Sequence, residues 1–227
     1  MSFLGSDPSK TRSIFAMAVA SSLHYAGYEL ARSGTMALFT SQRTGFSSAS
    51  AAPFCTACVS PFSFALLWLY TRSLEKRGPR KSLRYSTLIF AAILAVGGFT
   101  LSYIENQIDR HVIFQHSARA TIFLLNICLL GFVQLLYTQH WSFLNSVCSK
   151  EGSKWFGPIA GLGSLASTAA AMSVSPMVDR VGLTGLLWSS SIFLLLSSIF
   201  ADDAYRIAQL VSFVVWCGSV SLALFLP

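Results

Sequence analysis

Seven stretches of this chain are long and apolar enough to cross a lipid bilayer, and six of them contain no Asp, Glu, Lys or Arg. They are Ser13 to Phe39, Ala51 to Tyr70, Tyr85 to Ile104, Ala120 to Leu144, Phe156 to Val178, Leu183 to Ala201 and Ile207 to Leu226. A bilayer core about 30 Å thick takes roughly 20 residues of helix to cross. Unpaired backbone groups in lipid cost several kcal/mol each, and the runs lack the period-two alternation of a barrel strand, so helices are expected. The fifth run is the least apolar, with Gly161, Gly163, Ser164, Ala166, Ser167 and Ala169 to Ala171 in place of Leu and Phe. That composition suits close packing on another helix. The first run is too long for a signal-peptide core and shows no small-residue cleavage pattern before Glu29, so it is expected to be retained. No Arg-rich, acid-poor transit segment precedes it, so import into an organelle would need an extension or an internal signal.

Composition excludes the alternatives. Charged residues make up 11% of the chain and apolar residues 53%, whereas a soluble domain carries about 25% charge to wet its surface. A disordered chain is excluded by the same figures, and 15 Gly with 7 Pro is too few for a collagen-like or low-complexity one. The net charge of +7 would suggest nucleic acid in a soluble protein; here the basic residues follow the positive-inside rule, and no nucleic-acid partner is expected. Arg72, Lys76, Arg77, Arg80, Lys81 and Arg84 face one acid, Glu75, in the link after the second run, which places that link on the cytoplasmic or equivalent side. Lys10 and Arg12 at the N-terminus, with Lys150 and Lys154 between the fourth and fifth runs, then share that side. Arg43, Arg110, Arg119 and Arg180 lie opposite. Seven spans put the two termini on opposite sides, and six put them on the same side if the last run is only interfacial. Five cysteines, an odd number, lie almost wholly in apolar runs, so no disulfide framework is expected.

Within the runs, Glu29 and Arg32 are the anomaly. A charge at a membrane centre costs about 2.5 to 3.5 kcal/mol on insertion scales, and such residues face a bundle interior, a cavity or one another. Three residues apart, the two share a helix face. They read either as a binding charge for an ionic solute, Arg32 offering a planar fork to phosphate or carboxylate, or as a self-neutralising pair near the helix end. His24 and His140 read as helix-packing or interfacial residues before solute, metal or pigment ligands, and His111 with His116 as solvated. Cys55 and Cys58 form C-x-x-C inside an uncharged run between Pro53 and Pro61, where small packing residues fit better than a redox or zinc pair. No histidine stands at metal spacing from a carboxylate, and no phosphate-loop, dinucleotide-loop or hydrolase-elbow motif occurs. No metal, no cofactor and no enzymatic activity are expected.

Two stretches carry a resemblance. Ser48-Ala49-Ser50-Ala51-Ala52-Pro53-Phe54, leading through Leu69-Tyr70-Thr71 into Glu75-Lys76-Arg77-Gly78-Pro79-Arg80-Lys81, looks like the second helix and following basic turn of the ATP/ADP translocase family of plastids and obligate intracellular bacteria. Trp141-Ser142-Phe143-Leu144-Asn145, followed by Glu151, Lys154, Phe156, Pro158 and Gly161-Leu162-Gly163, is similar to that family's fourth-to-fifth helix junction. Order and spacing agree over roughly residues 30 to 175. The resemblance implies a major-facilitator-like bundle and covers only the N-terminal one of the two six-helix halves of such a carrier. It also places Arg32 near the family's nucleotide-meeting charges. The lysine expected close by is replaced by Gly34 or a neighbour, and the acid of the fourth helix by Leu129.

The expected fold is therefore all-α, a single polytopic bundle of six or seven membrane helices. Two functions follow. The first is a half-length carrier of nucleotides or other anionic solutes, working by alternating access once joined to a second half, with Glu29, Arg32, Asn126, Gln134 and Asn145 as candidate binding residues. The second is a non-transporting, transporter-derived scaffold subunit of a larger complex. Membrane lipid is a partner in both, with a homodimer or hetero-oligomer around it. The resemblance implies an organellar membrane, such as the plastid envelope.

Overall fold

The computed structural model describes residues 8–41, 45, 46, 48, 50–107, 112–147 and 155–225, without the side chains of 8–10, 112, 147 and 210–225. Arg43, Arg110, His111, Lys150, Glu151, Lys154 and the seventh run's side chains beyond Gln209 lie outside that description. Four helices follow in order: α1 (Pro8–Thr40), α2 (Ala51–Glu105), α3 (Val112–Val147) and α4 (Phe156–Phe225). Among the described residues α2, α3 and α4 are long and apolar enough to cross a membrane, and the chain is an integral membrane protein. Large apolar side chains such as Phe64, Val96, Phe99, Ile113 and Leu165 lie exposed along these three helices, the pattern of a surface solvated by lipid rather than water. α1 is long enough but falls short in apolarity. The reason is position: Ser13, Ser21, His24 and Thr35 are turned into the protein and buried.

α2 and α4 each fold back on themselves. Inside α2 the one break in helical geometry is Gly78, at φ 76° and ψ 169°, and the Ser73 and Ser82 hydroxyls on either side of it are 3.0 Å apart. In a straight helix those residues would be separated by about 13 Å. The two arms then run in opposite senses along α3. Going up the first arm, Phe54 stacks near Phe123, Cys55 meets Asn126 and Phe62 abuts Gly131. Going up the second, Ser86 meets Gln139, Phe90 stacks on Phe132 and Gly97 abuts Leu125. In α4 the corresponding break is Gly182, at φ 74° and ψ 174°. Beyond it the helix continues to Phe225 with no second break.

The arm after Gly182 runs antiparallel to α1 along a seam that repeats every seventh residue. Ser13 Oγ donates to the Ala204 carbonyl at 3.0 Å, Ser197 Oγ to that of Ala20 at 2.8 Å and Ser190 Oγ to that of Gly27. Gly34 then lies against the Leu183 carbonyl and Leu186. A seven-residue step keeps one stripe of each helix facing the other, as in left-handed coiled coils, and small residues let the backbones approach closely enough for hydroxyl-to-carbonyl bonds.

The chain path is consequently repeated in reverse. α1 leads into a hairpin whose tip, Gly78, lies at the end of the bundle where α1 begins: Arg80 bonds Asp202, and Leu83 packs with Ala16 and Met17. α3 runs antiparallel to α1 and leads into a second hairpin whose tip, Gly182, lies at the opposite end, beside Gly34. One long helix plus one hairpin, used twice in opposite senses, is the arrangement of an inverted-topology repeat. Phe132 sits near the middle, 1% exposed, with its ring 3.6 Å from that of Phe90, 5.7 Å from His24 and 6.4 Å from Tyr28.

Candidate functional site

α1 and α3 both present a polar and aromatic stripe on the same open face. On α1 the stripe is Tyr25, Glu29, Arg32 and Met36; on α3 it is Gln134, Tyr137, Trp141 and Asn145, all at helical three- and four-residue steps. The stripes meet at Tyr25 and Tyr137, whose rings are 6.5 Å apart. Four of the five binding candidates thus share one surface. Asn126 does not join them: it is buried on another face of α3 and donates to Cys55 Sγ at 3.4 Å. The same bond accounts for half of the C-x-x-C motif. Cys55 is a buried, free thiol and Cys58 a free, half-buried one, in packing positions.

Glu29 and Arg32 form a two-point ion pair. Arg32 Nε donates to one carboxylate oxygen at 3.1 Å and a terminal guanidinium nitrogen to the other at 2.6 Å. The carboxylate side chain is only 12% exposed, whereas the arginine is 52% exposed. The pair therefore neutralises most of its charge within one helix turn, and the second terminal nitrogen of Arg32 remains on the outer side. Such an arrangement can hold an anion beside the tyrosines, but with one planar edge already engaged it offers less than a free guanidinium would.

The first arm of α4 adds a third stripe. Gly157, Gly161, Ser164, Thr168, Ala171 and Ser175 step along it by three or four residues, and every one is exposed. Its other face, at Gly163, closes on the Tyr25 ring, so this arm lies beside the α1 stripe.

A separate polar space lies within the bundle. His24, Thr87, Gln139 and His140 line a cavity with Ser21 and Ser198, its empty volume being about 350 Å³ including the open mouth. Sequence reasoning read the two histidines as packing residues. They come from helices 116 positions apart in the chain and meet only because α1 and α3 pack antiparallel. The tyrosine pair on the open face was also missed, although Tyr25 stands one helical turn before Glu29.

Among the described residues no group of three or more His, Cys, Asp or Glu side chains could hold a metal ion. No family model matches this chain, and neither a curated protein nor a solved structure matches it.

Proposed function

We propose that the chain is one half of a membrane carrier for anionic solutes, nucleotides among them, that works after assembly with a second bundle. Six crossings serve this reading: α1, the two arms of α2, α3 and the two arms of α4, with the last run extending the final arm. The observation that carries it is the Glu29–Arg32 pair at an open face flanked by Tyr25 and Tyr137. Partly charged and aromatic groups on a membrane-length helix are expensive against lipid tails and economical against protein or solute. The reversed repetition of helix and hairpin supports the reading, because carriers built from inverted repeats place their solute site where two such bundles meet. The resemblance to ATP/ADP translocases supplies the anionic substrate class and an organellar membrane.

The second reading, a scaffold subunit that moves nothing, is favoured by one specific contact. The Arg32 fork is filled by Glu29, so the face can pack on a neighbouring protein without a solute. Reconstitution decides between them. The purified chain in lipid vesicles, offered labelled ATP, ADP and inorganic phosphate, should take up at least one of them as an oligomer and lose that uptake in Arg32→Gln. No uptake of any of the three, with stable capture by different chains, would establish the scaffold instead.

A further inference from the structure

The cavity inside the bundle has its own chemistry, independent of the carrier or scaffold reading. Four of its lining polar atoms are buried and lack a partner: His24 Nε2, Thr87 Oγ1, Gln139 Oε1 and His140 Nε2. Each residue is more than nine-tenths buried. A buried polar atom without a partner is costly, so four around one space point to a ligand.

The hydrogen-bond network states what that ligand must supply. Ser86 Oγ gives its proton to the Ser82 carbonyl at 2.7 Å, so its contact with the Gln139 amide at 2.6 Å has Gln139 Nε2 as donor. Gln139 Oε1 is therefore an acceptor awaiting a donor. A halide or an unprotonated phosphate oxygen cannot satisfy it. A multivalent metal would find two imidazoles and no carboxylate or thiolate. Only a small part of the cavity is wide enough for a water molecule, which favours water over an organic solute. Water donates to Gln139 and Thr87 and accepts from or donates to either imidazole.

We propose that His24 and His140 form a proton-binding site bridged by water, the two rings sharing one proton taken from bulk water. In the step, hydronium gives its proton to an imidazole Nε2 and leaves as water; no other bond changes, and the site gains one positive charge. A second proton is disfavoured, because both rings line one small buried cavity and no carboxylate lines it. The surrounding titratable and charged groups are few. α1 brings Tyr25, whose ring is 5.4 Å from His140, with Glu29 a turn away and held by Arg32; α2 brings Leu83 and Thr87 with Arg84 beside them; α3 brings Tyr137 a turn from His140. α4 brings Ser197, Ser198 and Ala201, with Asp202 next in sequence and held by Arg80 and Arg206. Ser21 Oγ lies 3.4 Å from His140 Nδ1 and fixes that ring's orientation.

The test is nitrogen NMR of the full chain in lipid nanodiscs with labelled histidine, the four signals assigned by single His→Asn variants. On acidification the His24 and His140 signals should move together, with one proton for the pair, while replacing potassium by sodium should move neither. Gln139→Leu and Thr87→Val should displace the midpoint of both signals and leave His111 and His116 unmoved, a readout that survives if His24→Asn does not fold. Independent titration of the two rings, neutrality of both rings until the fold is lost, or displacement by sodium would each overturn the proposal.

Discussion

Gly78 and Gly182 hold nearly the same backbone conformation, φ 76° with ψ 169° and φ 74° with ψ 174°, and each turns one helical hairpin. That region of backbone space is essentially glycine's alone, and another residue held there costs about 1 to 3 kcal/mol. Nothing lies within 4 Å of a Cβ added at either position, so the cost would be conformational rather than steric. Gly78→Ala and Gly182→Ala should each lower thermal stability in detergent, whereas Gly157→Ala, also without neighbours but within ordinary helix, should leave stability unchanged or raised. Equal melting temperatures for all three variants would refute the hairpin turns.

The seam between α1 and α4 depends on small residues as well as hydroxyls. A Cβ on Gly27 would stand 3.0 Å from the Phe193 Cβ and 3.2 Å from the Ser190 carbonyl, and neither can withdraw without moving backbone. Overpacking of this kind costs about 1 to 3 kcal/mol, so Gly27→Val should reduce folded yield sharply. Ser190→Ala and Ser197→Ala each delete one interhelical bond, with an expected loss of about 0.6 kcal/mol apiece in a membrane bundle. Unfolding in mixed micelles with increasing denaturing detergent would rank the three, and a ranking with either serine variant as the weakest would contradict the seam.

Much of the helix content can be read from the absence of charge, because lipid solvation leaves so few alternatives. The hairpin at Gly78 is foreshadowed by Gly-Pro inside a basic link, and that at Gly182 by Asp179 and Arg180 in an otherwise apolar stretch. Helix phase is harder. Asn126 and Gln134 both look like cavity residues along α3, yet eight positions turn one into the Cys55 contact and the other onto the open face. Serines such as Ser190 and Ser197 are ambiguous for the same reason: the hydroxyl suits a lipid-facing bond to its own helix or a bond across to another, and only packing selects. The His24–His140 cavity depends on the pairing of α1 with α3, which no local pattern encodes.

At the end of the bundle near Gly78, Asp202 receives Arg80 Nε at 2.7 Å and Arg206 Nε at 3.0 Å, while Arg80 also reaches Gln209 at 3.3 Å. This links the tip of the first hairpin to α4. Arg206 is 62% exposed and Arg80 31%, so Arg80 carries the larger share. Arg206→Gln should be nearly silent, and Asp202→Asn should cost no more than about 1 kcal/mol at low salt, less as ionic strength rises. Salt-independent melting differences would remove the electrostatic account.

Topology gives a direct check on the membrane reading. The start of α1 and the Gly78 hairpin lie at one end of the bundle, where Ser13 meets Ala204 and Arg80 meets Asp202. The basic residues of the Arg72 to Arg84 link should therefore share a membrane side with the N-terminus. Single cysteines at Ser6 and Ser73, in a chain otherwise cleared of reactive thiols, should be labelled by an impermeant reagent from the same side, and one at Arg180 from the other. Labelling of Ser6 and Ser73 positions from opposite sides would remove the span assignment.

The open face decides how the chain assembles. Arg32 is half exposed but the Glu29 carboxylate is only 12% exposed, so even in an isolated bundle Arg32→Gln leaves a largely buried carboxylate unpaired and should lower folded yield more than the double change with Glu29→Gln. Covered by a second bundle, the same pair becomes further desolvated, and removing one partner leaves an uncompensated charge that is costlier than losing both. The single variant should then weaken assembly more than the double variant. Gly161→Trp would place a large ring on the exposed small-residue stripe of α4, where nothing in the bundle opposes it, and should block assembly without unfolding the chain. Mass measurement in native lipid distinguishes these cases. A wild-type monomer that still transports a solute, or a Gly161→Trp assembly as stable as wild type, would show that this face needs no partner.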